Sequence, residues 1–295
     1  MRILVTGAGG LVGRALQQHC LAAGDEVLAY KREELDITDS DLVEGRIIQQ
    51  KPDAVVNCAA WTDVDGCETN VEKAYAVNAY GPENLARASR KAGAAFVTIS
   101  TDYVFDGTKQ APYTQRDTPY PLSVYGKAKL DGERRSQAEY ARSVIVRTGY
   151  IFGLGGKNYL SRVVDLARDK QPLLAISDAT GTPTYARDLA SRLHELAKLD
   201  LPGIFHVVNA GEGATFEQFS RAALKLACLD DSVLKVVSMD SLKRPAPRPV
   251  DSRLDCLMSK AIGLAPLPDW QDGLRRFVVE STATQPSETV AHISN

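Results

Sequence analysis

Excess positive charge is missing from this sequence. Its 35 Lys and Arg stand against 37 Asp and Glu, a formal net charge of -2 with a pI near 6.1. No basic field exists to hold a nucleic-acid backbone or an anionic membrane surface. Metal-ligand chemistry is equally thin. The four histidines, His19, His194, His206 and His292, are scattered singly, with no His-x-x-x-His or Cys/His cluster, so no metal site is expected. The five cysteines, Cys20, Cys58, Cys67, Cys228 and Cys256, are odd in number and never at Cys-x-x-Cys spacing, which fits free thiols in a reducing cytosol. Nor is there an apolar run of membrane-spanning or signal-peptide length, since Met1-Arg2-Ile3-Leu4-Val5-Thr6 passes straight into glycines. A cytoplasmic protein with a small-molecule site is the expectation, with neither nucleic acid nor membrane as partner.

What is present is 44% hydrophobic residues in a chain of 295, enough for a core without disulfide or metal staples. Short apolar runs alternate with helical patterns, the signature of βαβ units around a parallel sheet buried on both faces. The runs predict strands at Ile3–Thr6, Glu26–Tyr30, Ala54–Asn57, Phe96–Ser100 and Val144–Arg147. Between them the spacing predicts helices over Leu11–Ala23, Asp39–Gln50, Val71–Lys91 with an interruption at Gly81-Pro82, and Leu122–Tyr140. The fold class is therefore α/β, a Rossmann-type doubly wound parallel sheet. After Gly153 the pattern loosens into a second, smaller α/β region, with helices near 159–170, 186–199 and 216–228 and strands near 173–176 and 204–208. Arg244-Pro245-Ala246-Pro247-Arg248-Pro249 reads as an extended loop, and Ser281–Asn295 as a polar, mobile tail.

The first strand ends in Gly7-Ala8-Gly9-Gly10-Leu11-Val12-Gly13 and a helix follows at once. Glycines there let the backbone turn tightly and approach a pyrophosphate, which then faces the positive end of the helix. The second strand ends in Tyr30-Lys31-Arg32, and Arg32 favours a 2′-phosphate, hence NADPH, with NADH left open because Glu33 and Glu34 follow. Tyr125 and Lys129 stand at i and i+4 on one helix face. A phenol working as a general acid near neutrality needs its pKa lowered, and a cation one turn away supplies part of that. Ser100 and Thr101 end the fourth strand, where ligands of open α/β sheets sit. Strand alternation lets only one of the two face the site, and Thr101 is the candidate.

With these residues the chain resembles the extended short-chain dehydrogenase/reductases and, among them, the dTDP-4-dehydrorhamnose reductase family, over about residues 1 to 280. The matching segments include Leu35-Asp36-Ile37-Thr38-Asp39, Asn57-Cys58-Ala59-Ala60-Trp61-Thr62, Val77-Asn78, Ser100-Thr101-Asp102-Tyr103-Val104-Phe105, Gly181-Thr182-Pro183-Thr184 and Arg248-Pro249. The resemblance implies NADPH-dependent reduction of the C4 ketone of dTDP-4-dehydro-6-deoxy-L-mannose to dTDP-L-rhamnose, for cell-surface polysaccharide. It implies Tyr125, Lys129 and Thr101 as catalytic residues. It implies cofactor contacts from Gly7, Gly10, Leu11, Val12, Arg32, Asp36, Ile37, Ala59, Ala60 and Thr62, and substrate contacts from Thr101, Asp102, Tyr150 and Arg248. Tyr150 stands where the family commonly has Trp. Arg187 stands where an acidic ligand for a divalent cation at a dimer contact is expected, so the metal is not carried over, while a homodimer is.

The same resemblance divides the chain into a Rossmann domain, 1–152 with a returning segment at 182–208, and a substrate-binding region, 153–181 and 209–280. Two other readings share its motifs. One is a reductase, dehydratase or epimerase for another nucleotide-linked 4-keto sugar, although Tyr103 stands where dehydratases have a glutamate. The other is an NADP-binding regulatory subunit resembling that of methionine adenosyltransferase.

Overall fold

The computed structural model describes residues 1–283. Its first half alternates as β1 (Arg2–Thr6), α1 (Leu11–Ala22), β2 (Glu26–Tyr30), α2 (Ser40–Gln50) and β3 (Ala54–Asn57). The short α3 (Val64–Thr69) and α4 (Val71–Tyr75) lead through a π-helical turn, Ala76–Tyr80, into α5 (Gly81–Ala92), followed by β4 (Ala95–Thr101), α6 (Val124–Glu139) and β5 (Val144–Thr148). The second half runs β6 (Ile151–Phe152), α7 (Tyr159–Arg168), β7 (Leu173–Ile176), β8 (Thr180–Gly181), β9 (Thr184–Tyr185), α8 (Ala186–Leu199) and β10 (Gly203–His206). It closes with β11 (Ala214–Thr215), α9 (Phe216–Leu226), β12 (Leu234–Val237), α10 (Leu257–Ala261) and α11 (Trp270–Ala283).

Six strands form one parallel sheet in the order β10-β5-β4-β3-β1-β2. Alternating side chains bury both faces. Ile3, Val5, Val56, Val97 and Val146 pack under α1 and α8 through Leu16, Leu189 and Leu193. Leu4, Val55 and Phe96 pack under α2 and α5 through Val43, Ile47 and Leu85. A separate core of Phe152, Tyr185, Phe219, Trp270 and Phe277 joins α7, α9 and α11 beside the sheet.

The order of strands reverses between β1 and β3, which opens a crevice at their carboxyl ends. A buried polar ladder fixes that edge. The Thr6 hydroxyl donates to Asn57 Oδ1 at 2.7 Å, and Asn57 Nδ2 donates to Thr98 Oγ1 at 3.0 Å.

Three features depart from the sequence reading. The chain does not break at Gly81-Pro82. Pro82 has no N–H to offer the preceding turn, and the π-helical register of Ala76–Tyr80 absorbs that gap so the helix continues. The last helix was not anticipated. Ser281 to Ala283 belong to α11, with Ser281 buried, rather than to a tail, and residues 284–295 lie outside the described residues. The helix expected from Leu122 starts at Val124, because Ser123 caps it by accepting from Gly126 N.

Gly13 lies where α1 crosses β1, and a Cβ there would stand 2.3 Å from the Gly7 carbonyl oxygen. Gly13→Ala is expected to destabilise the fold by about 2 to 3 kcal/mol, read as a lower urea midpoint at unchanged slope.

Candidate active site

Gly7 ends β1 with φ +64°, and a Cβ on it would lie 2.6 Å from Ala59 N. Only glycine lets the turn into α1 and the exit of β3 pass this closely. Gly10 N donates to Gly7 O at 2.9 Å, and Gly10 then serves as N-cap of α1 with no side-chain cap and no acid in the first turn. The N–H groups at Leu11 and Val12 and the positive end of the helix are thus left facing the crevice.

Two cavities meet there. One, of about 370 Å³, runs from Gly7 and Gly10 past Ala59 and Ala60 to Arg32, Asp36 and Ile37. The other, of about 440 Å³, shares Gly10, Cys58, Ala59 and Ala60 and continues past Leu11, Val12 and Thr62 to Thr101, Asp102, Tyr125, Lys129 and Tyr150. A glycine cradle, an uncapped helix end and two connected chambers fit a dinucleotide, with a pyrophosphate at the junction. Arg32 stands largely in solvent at the rim of the first chamber, its Nε 3.4 Å from Asp36 Oδ2. Lys31 lines the same rim.

In the second chamber α6 supplies a buried row. Lys129 is 4% exposed and its Nζ donates to the Ile99 carbonyl at 2.6 Å. Burial pulls its pKa down to about 8, against the opposing charges of Glu133 and Cys58. Tyr125 behaves otherwise than its spacing suggested. Burial raises the phenol above its ordinary value, and Thr101, whose side chain hydrogen-bonds it, draws it only partly back. Any lowering from Lys129, whose ammonium is bonded to the Ile99 carbonyl, is outweighed by that burial. Ser100 and Thr101 both line the chamber, but their hydroxyls take different partners: Ser100 bonds Glu133 and Thr101 bonds Tyr125.

Asp102 is buried beside Thr101. Thr101 Oγ1 donates to its Oδ1 at 3.0 Å and Ser252 Oγ to its Oδ2 at 2.6 Å. A Cβ on Gly149 would sit 2.4 Å from that carboxylate, so glycine leaves the space it fills. Burial pushes the Asp102 pKa up to about 6 despite both hydroxyl donors. Tyr150 adopts φ +48° and tilts its ring over Phe216 at 4.8 Å between centroids. Arg248 lines neither chamber. Its guanidinium grips both oxygens of Asp65, at 3.0 and 2.8 Å, so the charge expected to face a diphosphate is already matched.

Arg187 forms an ion pair with Glu280 at 2.7 Å. Among the described residues, ligand-type side chains gather at Cys20, Asp25 and His194, away from both chambers. There His194 Nε2 stands 2.6 Å from Asp25 Oδ2, an imidazole against a carboxylate.

The family profile described as RmlD substrate binding domain matches residues 1–283. A dTDP-4-dehydrorhamnose reductase of Mycolicibacterium smegmatis is 39% identical over 280 residues, 94% of this chain and 85% of that protein. The chain belongs to the dTDP-4-dehydrorhamnose reductase family. Two solved structures of that family superpose on it. The one from Bacillus anthracis, in complex with NADP, has a TM-score of 0.91 at 32% identity over 95% of this chain and 99% of its own. The one from Clostridium acetobutylicum has a TM-score of 0.90 at 35% identity over 96% and 100%. Among the described residues no helix is long and apolar enough to cross a membrane.

Within this family frame, several side chains gain parts that their spacing did not reveal. Asn78, in the π-helical turn, accepts from Trp61 N and donates to Trp61 O, both at 3.0 Å, and so holds the Ala60–Thr62 strip against the chamber. A polar residue inside an otherwise apolar helical stretch was the available signal. Ser252 carried none, since it reaches Asp102 from 150 residues away. Tyr103 packs edge-on to Tyr125 at 6.1 Å.

A carboxyl that titrates near 4 when unfolded and about 6 when folded binds its proton more tightly in the folded state. Its contribution to stability therefore falls as pH rises through that window. Asp102→Asn is expected to stabilise the protein by roughly 2 kcal/mol at pH 8 and by nothing near pH 4. Thermal unfolding measured at both pH values checks the sign.

Proposed function

We propose that this chain reduces the C4 ketone of dTDP-4-dehydro-6-deoxy-L-mannose to dTDP-L-rhamnose, in the cytoplasm, with NADPH preferred over NADH. The observation that carries the reading is the buried Tyr125–Lys129 row with Thr101 in a chamber continuous with the glycine cradle. Bound in that cradle by the Gly7–Val12 turn and the end of α1, NADPH would furnish the hydride that the reduction needs. The protein's part is the proton. Tyr125, held protonated by burial, gives its hydroxyl proton to the oxygen as negative charge develops there. Lys129, with a pKa of about 8, is an ammonium at neutral pH and keeps positive charge beside the developing phenolate. Thr101 accepts from Tyr103 N and gives its single proton to Asp102, so it meets the Tyr125 hydroxyl as an acceptor and orients it.

A further observation favours plain reduction over dehydration. Tyr103 follows Thr101-Asp102 where a dehydratase resembles Thr-Asp-Glu, and its phenol ring, lining the chamber, offers no carboxylate to take a proton from the neighbouring carbon. The substrate side is walled by Asp102 and Tyr150 from the first part of the chain and by Phe216 from the substrate-binding region, 153–181 and 209–280. Arg32 and Lys31, at the rim of the first chamber, are the groups for a 2′-phosphate. The homodimer belongs to the same reading, and sedimentation equilibrium tests it.

Mixing the protein with dTDP-4-dehydro-6-deoxy-L-mannose and NADPH is expected to give stoichiometric loss of reduced-nicotinamide absorbance and dTDP-L-rhamnose as product. Binding of NADPH without net oxidation would refute the reductase and point to an epimerase, which regenerates its cofactor, or to a regulatory subunit. Tyr125→Phe is expected to lower kcat by about 10³-fold with NADPH affinity retained. Arg32→Ala is expected to weaken NADPH binding roughly ten-fold while leaving NADH binding nearly unchanged, a contrast that fluorescence titration resolves.

A further inference from the structure

Lys129 has a buried ammonium with one hydrogen bond, to a main-chain carbonyl, and no acid in direct contact. Behind it lies a polar cluster that the reaction does not touch. Glu133, one helical turn beyond Lys129 on α6, is 3% exposed. Arg147 on β5 grips it with two parallel bonds, Nε to Oε1 at 2.9 Å and Nη2 to Oε2 at 2.7 Å. Ser100 on β4 donates to the same Oε1 at 2.5 Å. Ser100 and Arg147 are paired across β4 and β5, so one carboxylate ties two neighbouring strands to one helix. The residue before Ser100 is Ile99, whose carbonyl receives Lys129.

We propose that Glu133, clamped by Arg147 and Ser100, is a positioning residue for the reduction: it fixes the Ile99 carbonyl relative to α6 and keeps the Lys129 ammonium charged and in place. The alternative, a clamp that only adds stability, leaves two facts unconnected. The Ser100 bond ends one residue from the carbonyl that holds Lys129, and Glu133 and Lys129 lie one turn apart on the same buried helix face. The charge effect has the same direction, since Glu133 is the largest influence opposing the desolvation of Lys129. The titratable and charged groups around the row are Tyr125 and Glu133 on α6 itself, Cys58 after β3, Asp102 and Tyr103 after β4, Cys67 on α3, and Arg147 on β5 with the neutral His206 behind it.

The inference deepens the proposed reduction and rests on it for the catalytic consequence, so its test carries one readout that needs no substrate. Full-length protein labelled with ¹³C-lysine is titrated by NMR, with Lys129→Met assigning the Lys129 Cε resonance. In the wild type that resonance is expected to titrate with a midpoint of about 8. In Glu133→Gln the midpoint is expected to fall by about one pH unit, and the alkaline limb of kcat to move down with it. Glu133→Asp, which keeps the charge, is expected to bring the midpoint back most of the way.

Should Glu133→Gln fail to fold because Arg147 is left unpaired, Ser100→Ala removes one strand of the clamp and leaves the ion pair. It is expected to lower kcat roughly ten-fold with KM nearly unchanged. A folded Glu133→Gln whose Lys129 midpoint stays at the wild-type value, or a Ser100→Ala that turns over as the wild type does, overturns the proposal. If the substrate reading itself is wrong, no variant turns over, yet the Lys129 midpoint still answers the question.

Discussion

The approach of Gly7 to Ala59 is the constraint on which the site depends. At 2.6 Å from a built Cβ to Ala59 N, no other residue allows the β1–α1 turn to pass the end of β3. That contact closes the backbone floor of the crevice between diverging strands. Gly13 sets the same closeness one turn later, against the Gly7 carbonyl. The Thr6–Asn57–Thr98 ladder then ties β1, β3 and β4 together beneath the floor, and Asn57 Oδ1 also takes the Ala59 N–H at 3.1 Å. One buried amide thus fixes strand ends and a residue that both chambers share.

The chemistry of the second chamber is governed by desolvation. Tyr125, Lys129 and Asp102 are all displaced toward their neutral forms, the two acids upward and the base downward. For a general acid this is useful, since a phenol that holds its proton at rest has one to give when an alkoxide forms. For Lys129 it is a hazard, because a neutral amine would offer no field. Its backbone partner at Ile99 and the carboxylate one turn away act against that loss. The spacing of Tyr125 and Lys129 states that a cation is close. It says nothing of the solvent removed around both, and removal of solvent is the larger effect.

This sets the limit of what the sequence disclosed. The parallel sheet was legible because apolar runs such as Ile3–Val5 and Ala54–Val56 are continuous, and only strands buried on both faces demand that. The nucleotide cradle was legible because its glycines are contiguous and lie between a strand and a helix. Arg248 in its proline loop looks free in the sequence, and only the fold shows Asp65, 183 residues earlier, paired with it. Ser252, Arg147 and Glu133 act through partners made neighbours only by the sheet and by α6, and no local pattern encodes such pairings. The helix α11 was missed because its buried face, Trp270, Leu274, Phe277 and Val278, is spaced among charges that read as surface.

Asp102 joins these two kinds of information. Its place after β4 is local, fixed by Thr101 and the turn that follows, but its charge depends on Ser252 arriving from the far end of the chain. A carboxylate this buried is tolerable only with donors at both oxygens. With Ser252 withdrawn, Oδ2 would lack its donor and the residue would hold its proton at still higher pH. The docking of the segment that carries Ser252 and the ionisation of Asp102 are therefore linked equilibria, each favouring the other. Protonated Asp102 becomes a donor to Thr101, whose hydroxyl is then free to point its own proton toward the chamber rather than to accept from Tyr125. The long-range contact thus reaches the Tyr125 hydroxyl through two hydroxyls and one carboxylate, without any movement of the sheet.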